Sequence, residues 1–402
     1  MWDKTTGKPI YNAIVWQCRR TTDRCKELKT YAPMIKEKTG LPLDPYFSAT
    51  KIEWLLNNGH KLDINNLCVG TIDTWLIWNL TNGKYHITDH SNASRTMLYN
   101  INTHQFDDDL LALFNIPRHI LPTIVDSCGE LAITDASVTG TELPILSIIG
   151  DQQAALFCQC GTSTTKIKNT YGTGLFMMVP TGQDRPQTEA LVNTVAWSIN
   201  GKIDYALEGS IFIGGSAIQW LRDGLGLITD SSETAELAHT LTSNEGVYFV
   251  PALTGLGTPY WDASARGMII GLTRGTTRAH IARATLEALA YQTKDVIDEI
   301  IKTLPNTPFD ALLVDGGATE NPFLMQFQAD ILDLPLIKPT ITETTAFGAA
   351  LLAGLTAELW TETDIQTLNP IQETITPSMD SATRQRYYSK WKEAVERCQG
   401  WV

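Results

Sequence analysis

"ALLVDGGATENPFLMQFQADIL", residues 311–332, decides the fold class. An apolar run over 311–314 ends at Asp315 and a Gly-Gly pair, as a buried strand does when it enters a tight loop. Asn321 then stands at a helix N-cap, Pro322 at the first helical position, and an apolar-striped helix follows. Strand, glycine loop and helix together are the building unit of α/β folds. Such a unit aims backbone N–H groups and a positive helix end at whatever lies beyond the strand.

The same grammar recurs upstream. "LPILSIIGDQQAALF" (143–157) reads as a short apolar run of the kind buried in a central sheet, entering a helix at Asp151. "KIKNTYGTGLFMMV" (166–179) sets a Gly-Thr-Gly turn between two β-type runs, a hairpin signal. "GGSAIQWLRDGLG" (214–226) opens a helix after two glycines and closes it on glycine. Residues 279–304 form a long helix with Ile281, Ala284, Ala288, Val296 and Ile300 near one face.

Nearer the start, 10–16 reads as a strand leaving a TTGKP hairpin turn, and 21–38 is helical. Residues 45–60 pass from a turn into an amphipathic helix with Ile52, Leu55 and Leu56 on one side. Residues 68–89 fit a strand or a buried helix edge before an Asn-Gly turn, and periodicity does not decide between them. With 402 residues, two domains are expected, divided as 1–159 and 160–402.

Thirty-one lysines and arginines against 44 acids leave a net charge of −13, which disfavours a nucleic-acid partner. Seven cysteines, an odd number without a CxxC pair, fit a reducing cytoplasm. No stretch approaches the roughly 18 apolar residues of a membrane span. The opening MWDKTTGKPI has neither the basic end nor the apolar core of a signal peptide.

Three loops compete for a phosphate: YGTG (171–174), GGSAIQW (214–220) and DGGATENP (315–322). Each alone is compatible with an ordinary turn, and neither GxxxxGK[ST] nor GxGxxG is present. Asp151 has two readings that can coexist. It caps the QQAALF helix, or it is a carboxylate at a strand's carboxyl end that takes a proton from a substrate hydroxyl during phosphoryl transfer.

Beyond these local readings, the chain resembles the FGGY carbohydrate kinase family. The likeness rests on "TGKPIYNAIVWQCRR" (6–20), "DPYFSATKIEWLLNN" (44–58), "TDHSNASRTMLYNI" (88–101), "GDQQAALF" (150–157), "KNTYGTGLFM" (168–177), "YALEGSIFIGGSAIQWLRD" (205–223), "PALTGLGTPYWDASARGMIIGLTRG" (251–275), "HIARATLEALAYQT" (280–293) and "DGGATENPFLMQFQADIL" (315–332). The resemblance implies an actin/hexokinase-like (ribonuclease H-like) α/β fold of two domains, with ATP and a small polyol in the cleft between them. It further implies Mg²⁺, glycerol as substrate, sn-glycerol 3-phosphate as product and a homo-oligomer, dimer or tetramer, in the cytoplasm.

Residue by residue, the resemblance makes Asp151 the general base, places Gln152 and Tyr46 on substrate hydroxyls and sets Trp16 and Phe176 against the carbon chain. Thr173 falls on the β/γ-phosphate contact, Gly215 and Gln219 on nucleotide positions, and Gly317 with Asn321 on the adenosine site.

Two departures stand out. The family's DxGTTSxR-type first phosphate loop and the Arg-Glu pair that grips the polyol have no counterpart before the TGKP turn, so the N-terminal domain is expected to be incomplete and turnover by this chain alone to be low. Glu142 replaces an arginine that binds fructose 1,6-bisphosphate in some bacterial members, which argues against that control.

Overall fold

The computed structural model describes residues 1–60 and 63–401. Its centre is a seven-stranded mixed sheet in the order 192–199, 202–211, 175–182, 167–171, 312–315, 336–339, 371–375. Only the 312–315 strand makes parallel pairs, one on each side, with Leu313 opposite Lys168 and Asp315 opposite Thr170. The rest is antiparallel. The expected Gly-Thr-Gly hairpin is present, Leu175 pairing with Tyr171.

The Asn-Gly turn read after residue 80 also forms. Asn82 and Gly83, like Asn200 and Gly201, all have positive φ, the backbone that favours these residues in tight turns. The first of these turns settles the 68–89 stretch, which contains the helix Ile72–Leu80 and then the strand Ile87–Asp89.

The clearest sequence unit forms as read. Asn321 Oδ1 accepts the N–H of Leu324, and Pro322 opens the helix Pro322–Leu332. The long helix spans Arg278–Thr303, and Ala284, Ala288, Val296 and Ile300 are buried while Ile281 is half-buried. Residues 21–38 are helical in two pieces, Thr22–Glu27 and Ala32–Thr39, and Ala49–Asn58 buries Ile52 and Leu55.

Three sequence expectations are corrected. Residues 10–16 form no strand. The TTGKP turn closes when Ile10 N–H bonds Met1 carbonyl, but from Tyr11 to Val15 the chain runs with three of its first residues exposed and Val15 58% exposed, so β-type residues have no ladder to join.

The 143–147 run does not enter the central sheet. Pro144–Ser147 pairs with Cys128–Ile133 in a separate two-stranded ribbon, and Ser147 Oγ bonds the Ala349 carbonyl of the helix Thr344–Thr356. Its apolar side chains answer that helix and a small cluster around Ile77, Ile87 and Ile148. A short apolar run cannot say which surface it covers.

Asp151 is not the helix N-cap. Gly150 holds that position, and Asp151 is the first helical residue.

Apolar packing falls into two large cores. One surrounds the long helix and the central sheet. The other gathers the N-terminal helices around Ile35, Phe47, Leu98 and Phe114, and takes Val192, Val195, Ile203 and Tyr205 from the sheet edge.

Candidate active site

Four aromatic rings from separate parts of the chain meet. Trp16 stands edge-on to both Tyr46 and Phe176, with centroids 5.6 Å apart in each case, and Phe212 leans on Trp16 at 6.5 Å and on Tyr46 at 5.9 Å. Edge-to-face packing at this spacing holds rings in fixed orientation. Trp16, Tyr46 and Phe176 are thus brought together as expected. Phe212 was not anticipated, because a phenylalanine in a β-run carries no signal beyond core.

Beneath the rings lies an ion pair. Arg95 Nη2 is 2.8 Å from Glu208 Oε1, which also accepts Ser210 Oγ at 2.6 Å, and the Arg95 guanidinium lies over the Tyr46 and Phe47 rings. Burial pushes the Tyr46 phenol above its ordinary pKa, and the charges of Glu208 and Asp151 add to the shift.

Asp151 begins the helix Asp151–Cys160 and is exposed. One oxygen, Oδ1, accepts the N–H of Gln152 at 2.8 Å. Gly150 N–H donates to Ser91 Oγ at 2.8 Å, which ties the start of this helix to the 88–101 segment. Gln152, half-buried, accepts from Lys168 Nζ at 2.7 Å, and Lys168 also donates to Thr170 Oγ1 at 2.8 Å. Lys168 is fully buried. Burial lowers its pKa, against the pull of Asp315, Asp151 and Glu208. Sequence reasoning passed over Lys168. The available signal was a cation, Lys168, running into Asn169 and Thr170 between the apolar Ile167 and Tyr171 of a buried strand.

The phosphate-loop candidates form one continuous surface. The Thr173 carbonyl accepts Gly214 N–H at 2.8 Å, Ser216 N–H at 3.2 Å and Ser216 Oγ at 2.8 Å, while Gly215 N–H donates to the Gly172 carbonyl at 2.8 Å. A Cβ on Gly215 would sit 2.8 Å from that carbonyl, so the two loops can be stitched this closely only through glycine. Thr173 and Gln219 are exposed, the latter one turn along the helix Gly215–Gln219.

The Gly-Gly loop joins from the other side. Gly316 has φ +90°, and a Cβ there would lie 2.6 Å from the Tyr171 carbonyl, at the foot of the Gly-Thr-Gly hairpin. Gly317, by contrast, faces open space, with nothing within 4 Å of where a Cβ would be. Asn321 spends its side chain on structure, capping the helix and donating to Thr234 Oγ1 at 3.0 Å.

Asp315, at the strand end, is buried. Its Oδ2 accepts from Gln159 at 2.7 Å and from Thr344 Oγ1, and its Oδ1 has no partner among the described residues. No group of three His, Cys, Asp or Glu side chains among the described residues could hold a metal ion by itself.

Family models decide what this arrangement belongs to. Residues 1–158 match the N-terminal domain and residues 167–357 the C-terminal domain of the FGGY family of carbohydrate kinases. The chain belongs to the FGGY family of carbohydrate kinases. It is 54% identical to glycerol kinase 2 of Thermotoga maritima and 52% identical to glycerol kinase of Aquifex aeolicus, each over 100% of this chain and 82% of the relative.

Among solved structures it is similar to Plasmodium falciparum glycerol kinase with ADP, at 38% identity and a TM-score of 0.87 over 99% of this chain and 81% of that one. Xylulose kinase of Lactobacillus acidophilus, 22% identical with a TM-score of 0.81 over 97% of this chain and 80% of that one, shares the fold. The FGGY chain accordingly has the actin/hexokinase-like α/β fold and is a carbohydrate-kinase-family phosphotransferase.

Proposed function

We propose that the chain phosphorylates glycerol to sn-glycerol 3-phosphate at the expense of ATP, with Asp151 as general base. The observation that carries this reading is Asp151 itself. It is exposed at a helix start, with Oδ1 accepting the Gln152 N–H and Oδ2 making no bond among the described residues, and its charge acts on Tyr46 and Lys168. Oδ2 takes the proton of one glycerol hydroxyl. That oxygen forms a bond to the γ-phosphorus of ATP, and the bond to the bridging oxygen breaks with its electron pair leaving on ADP.

The rings of Trp16 and Phe176 supply an apolar wall for a short carbon chain, and Gln152 and Tyr46 meet its hydroxyls. Thr173 receives a phosphate oxygen, and Gly215 and Gln219 border the nucleotide. Gly317, with open space above it, admits the adenosine, while Asn321 holds the loop that carries it.

Mg²⁺ would supply charge neutralisation at the phosphates of ATP; among the described residues no group of three His, Cys, Asp or Glu side chains could hold it by itself. The three relatives above that are named glycerol kinases support the substrate assignment. Likeness to a xylulose kinase at 22% identity supports the fold alone.

The proposal includes a division at 159/160, with nucleotide on the C-terminal unit, a homo-oligomeric assembly and a cytoplasmic setting. Seven free cysteines fit that setting, and among the described residues no helix is long and apolar enough to cross a membrane.

The test is incubation with ATP and a panel of polyols and ketopentoses, following ADP release and identifying products by phosphorus NMR. Glycerol 3-phosphate as the preferred product is expected. A phosphorylated pentulose formed with higher kcat/KM would overturn the substrate assignment.

A further inference from the structure

Lys168 is a cation enclosed in the middle of the sheet, on the strand Ile167–Tyr171 and opposite Leu313. Burying an ammonium is costly unless its hydrogens are received by good acceptors. Two of them are, by Gln152 Oε1 at 2.7 Å and Thr170 Oγ1 at 2.8 Å, and the acids Asp315, Asp151 and Glu208 supply the opposing field.

The chemistry of the first contact is one-sided. An ammonium only donates, whereas an amide carries an acceptor on one edge and two donors on the other. Lys168 therefore compels the oxygen of Gln152 to face the sheet and turns Nε2 outward. Among the described residues no protein acceptor takes Nε2, and its neighbour in the chain is the exposed Asp151.

We propose that Lys168 is a positioning residue. Through Gln152 Oε1 it fixes the side-chain amide so that Nε2 donates to a hydroxyl oxygen of the bound polyol, beside the hydroxyl whose proton Asp151 takes. This rests on the reading of Asp151 as base. Without the lysine the amide is free to flip, and half of its orientations present an oxygen to an oxygen. The lysine thus converts an adaptable side chain into a fixed donor, and the site comes to require a hydroxyl there. A site built to hydrogen-bond a hydroxyl rejects an analogue that lacks it far more strongly than an apolar pocket does.

The experiment uses the whole chain and reads dissociation constants for glycerol, 1,2-propanediol and 1,3-propanediol from quenching of tryptophan fluorescence, Trp16 being in the ring cluster. In K168M, glycerol affinity is expected to fall about tenfold, the worth of one hydrogen bond from a group left misoriented. The diol lacking the hydroxyl received by Gln152 should bind wild type and K168M within about twofold of each other. Equal losses for all three compounds would mean general damage to the site and would overturn the proposal, as would unchanged glycerol affinity.

Should K168M fail to fold, Q152E decides. Its carboxylate keeps the ammonium paired but offers no N–H, so the same selective loss is expected, and retained glycerol affinity overturns the proposal. D151N separates this claim from the one beneath it. Glycerol binding kept but turnover lost in D151N, with no selective loss in K168M, overturns the role of Lys168 alone. A wild type that binds no glycerol overturns both.

Discussion

Arg95 and Glu208 form an ion pair at 2.8 Å, the acid buried and the guanidinium half-buried, that joins the helical N-terminal segment to the central sheet, and each keeps one polar atom, Nη1 and Oε2, without a partner among the described residues. Removing either partner leaves the other as an uncompensated charge, and such losses cost about 3–5 kcal/mol. R95M and E208Q should each lower unfolding free energy by an amount of this order in urea titrations, and R95M/E208M by less than the sum. A single variant within about 0.5 kcal/mol of wild type would show the pair to be energetically idle.

The glycine pair at 316 and 317 should divide cleanly between folding and binding. Gly316 has φ +90° and backs onto the Tyr171 carbonyl, so G316A is expected to lower the melting temperature by several degrees. Gly317 has room for a side chain, so G317W should leave the melting temperature near wild type while abolishing ADP binding in calorimetry. ADP binding that survives G317W would place the adenosine elsewhere.

Asp73 gives stability a pH signature. It is buried, its Oδ2 accepts Thr88 Oγ1 at 2.7 Å, its Oδ1 has no partner among the described residues, and burial pushes its pKa up to about 6. The native state therefore holds this proton more tightly than the unfolded chain does. The contribution is most favourable below about pH 4, declines as pH rises, and is a constant penalty above about pH 6. D73N removes that slope. Its stability relative to wild type should improve by roughly 1–3 kcal/mol between pH 4.5 and 7.5 in denaturant titrations. A difference independent of pH would contradict the assignment.

What the sequence disclosed was what local chemistry controls. Asn321 before Pro322, the Gly-Thr-Gly turn and the Asn82-Gly83 pair each specify a backbone conformation within a few residues, and each formed as read. The strand expected over 10–16 and the central position expected for 143–147 failed for one reason. β-type residues state a preference, but whether a strand forms, and in which sheet, depends on the distant segment that offers its ladder.

The site divides in the same way. That Asp151 stands at a helix start was legible in the sequence, although the cap proved to be Gly150. Lys168, Phe212, Arg95 and Glu208 were not, since each acquires its meaning from a contact with a segment remote in the chain.

The central claim is that Asp151 accepts the substrate proton, and D151N tests it most directly. Asparagine keeps an oxygen for the Gln152 N–H, and Gly150 remains the cap, so folding should be nearly unaffected. Formation of glycerol 3-phosphate is to be followed at saturating ATP and glycerol. The account predicts a kcat reduced by about 10²–10⁴-fold, the usual worth of a general base, with ADP affinity and melting temperature unchanged. A fall of less than about tenfold would contradict it.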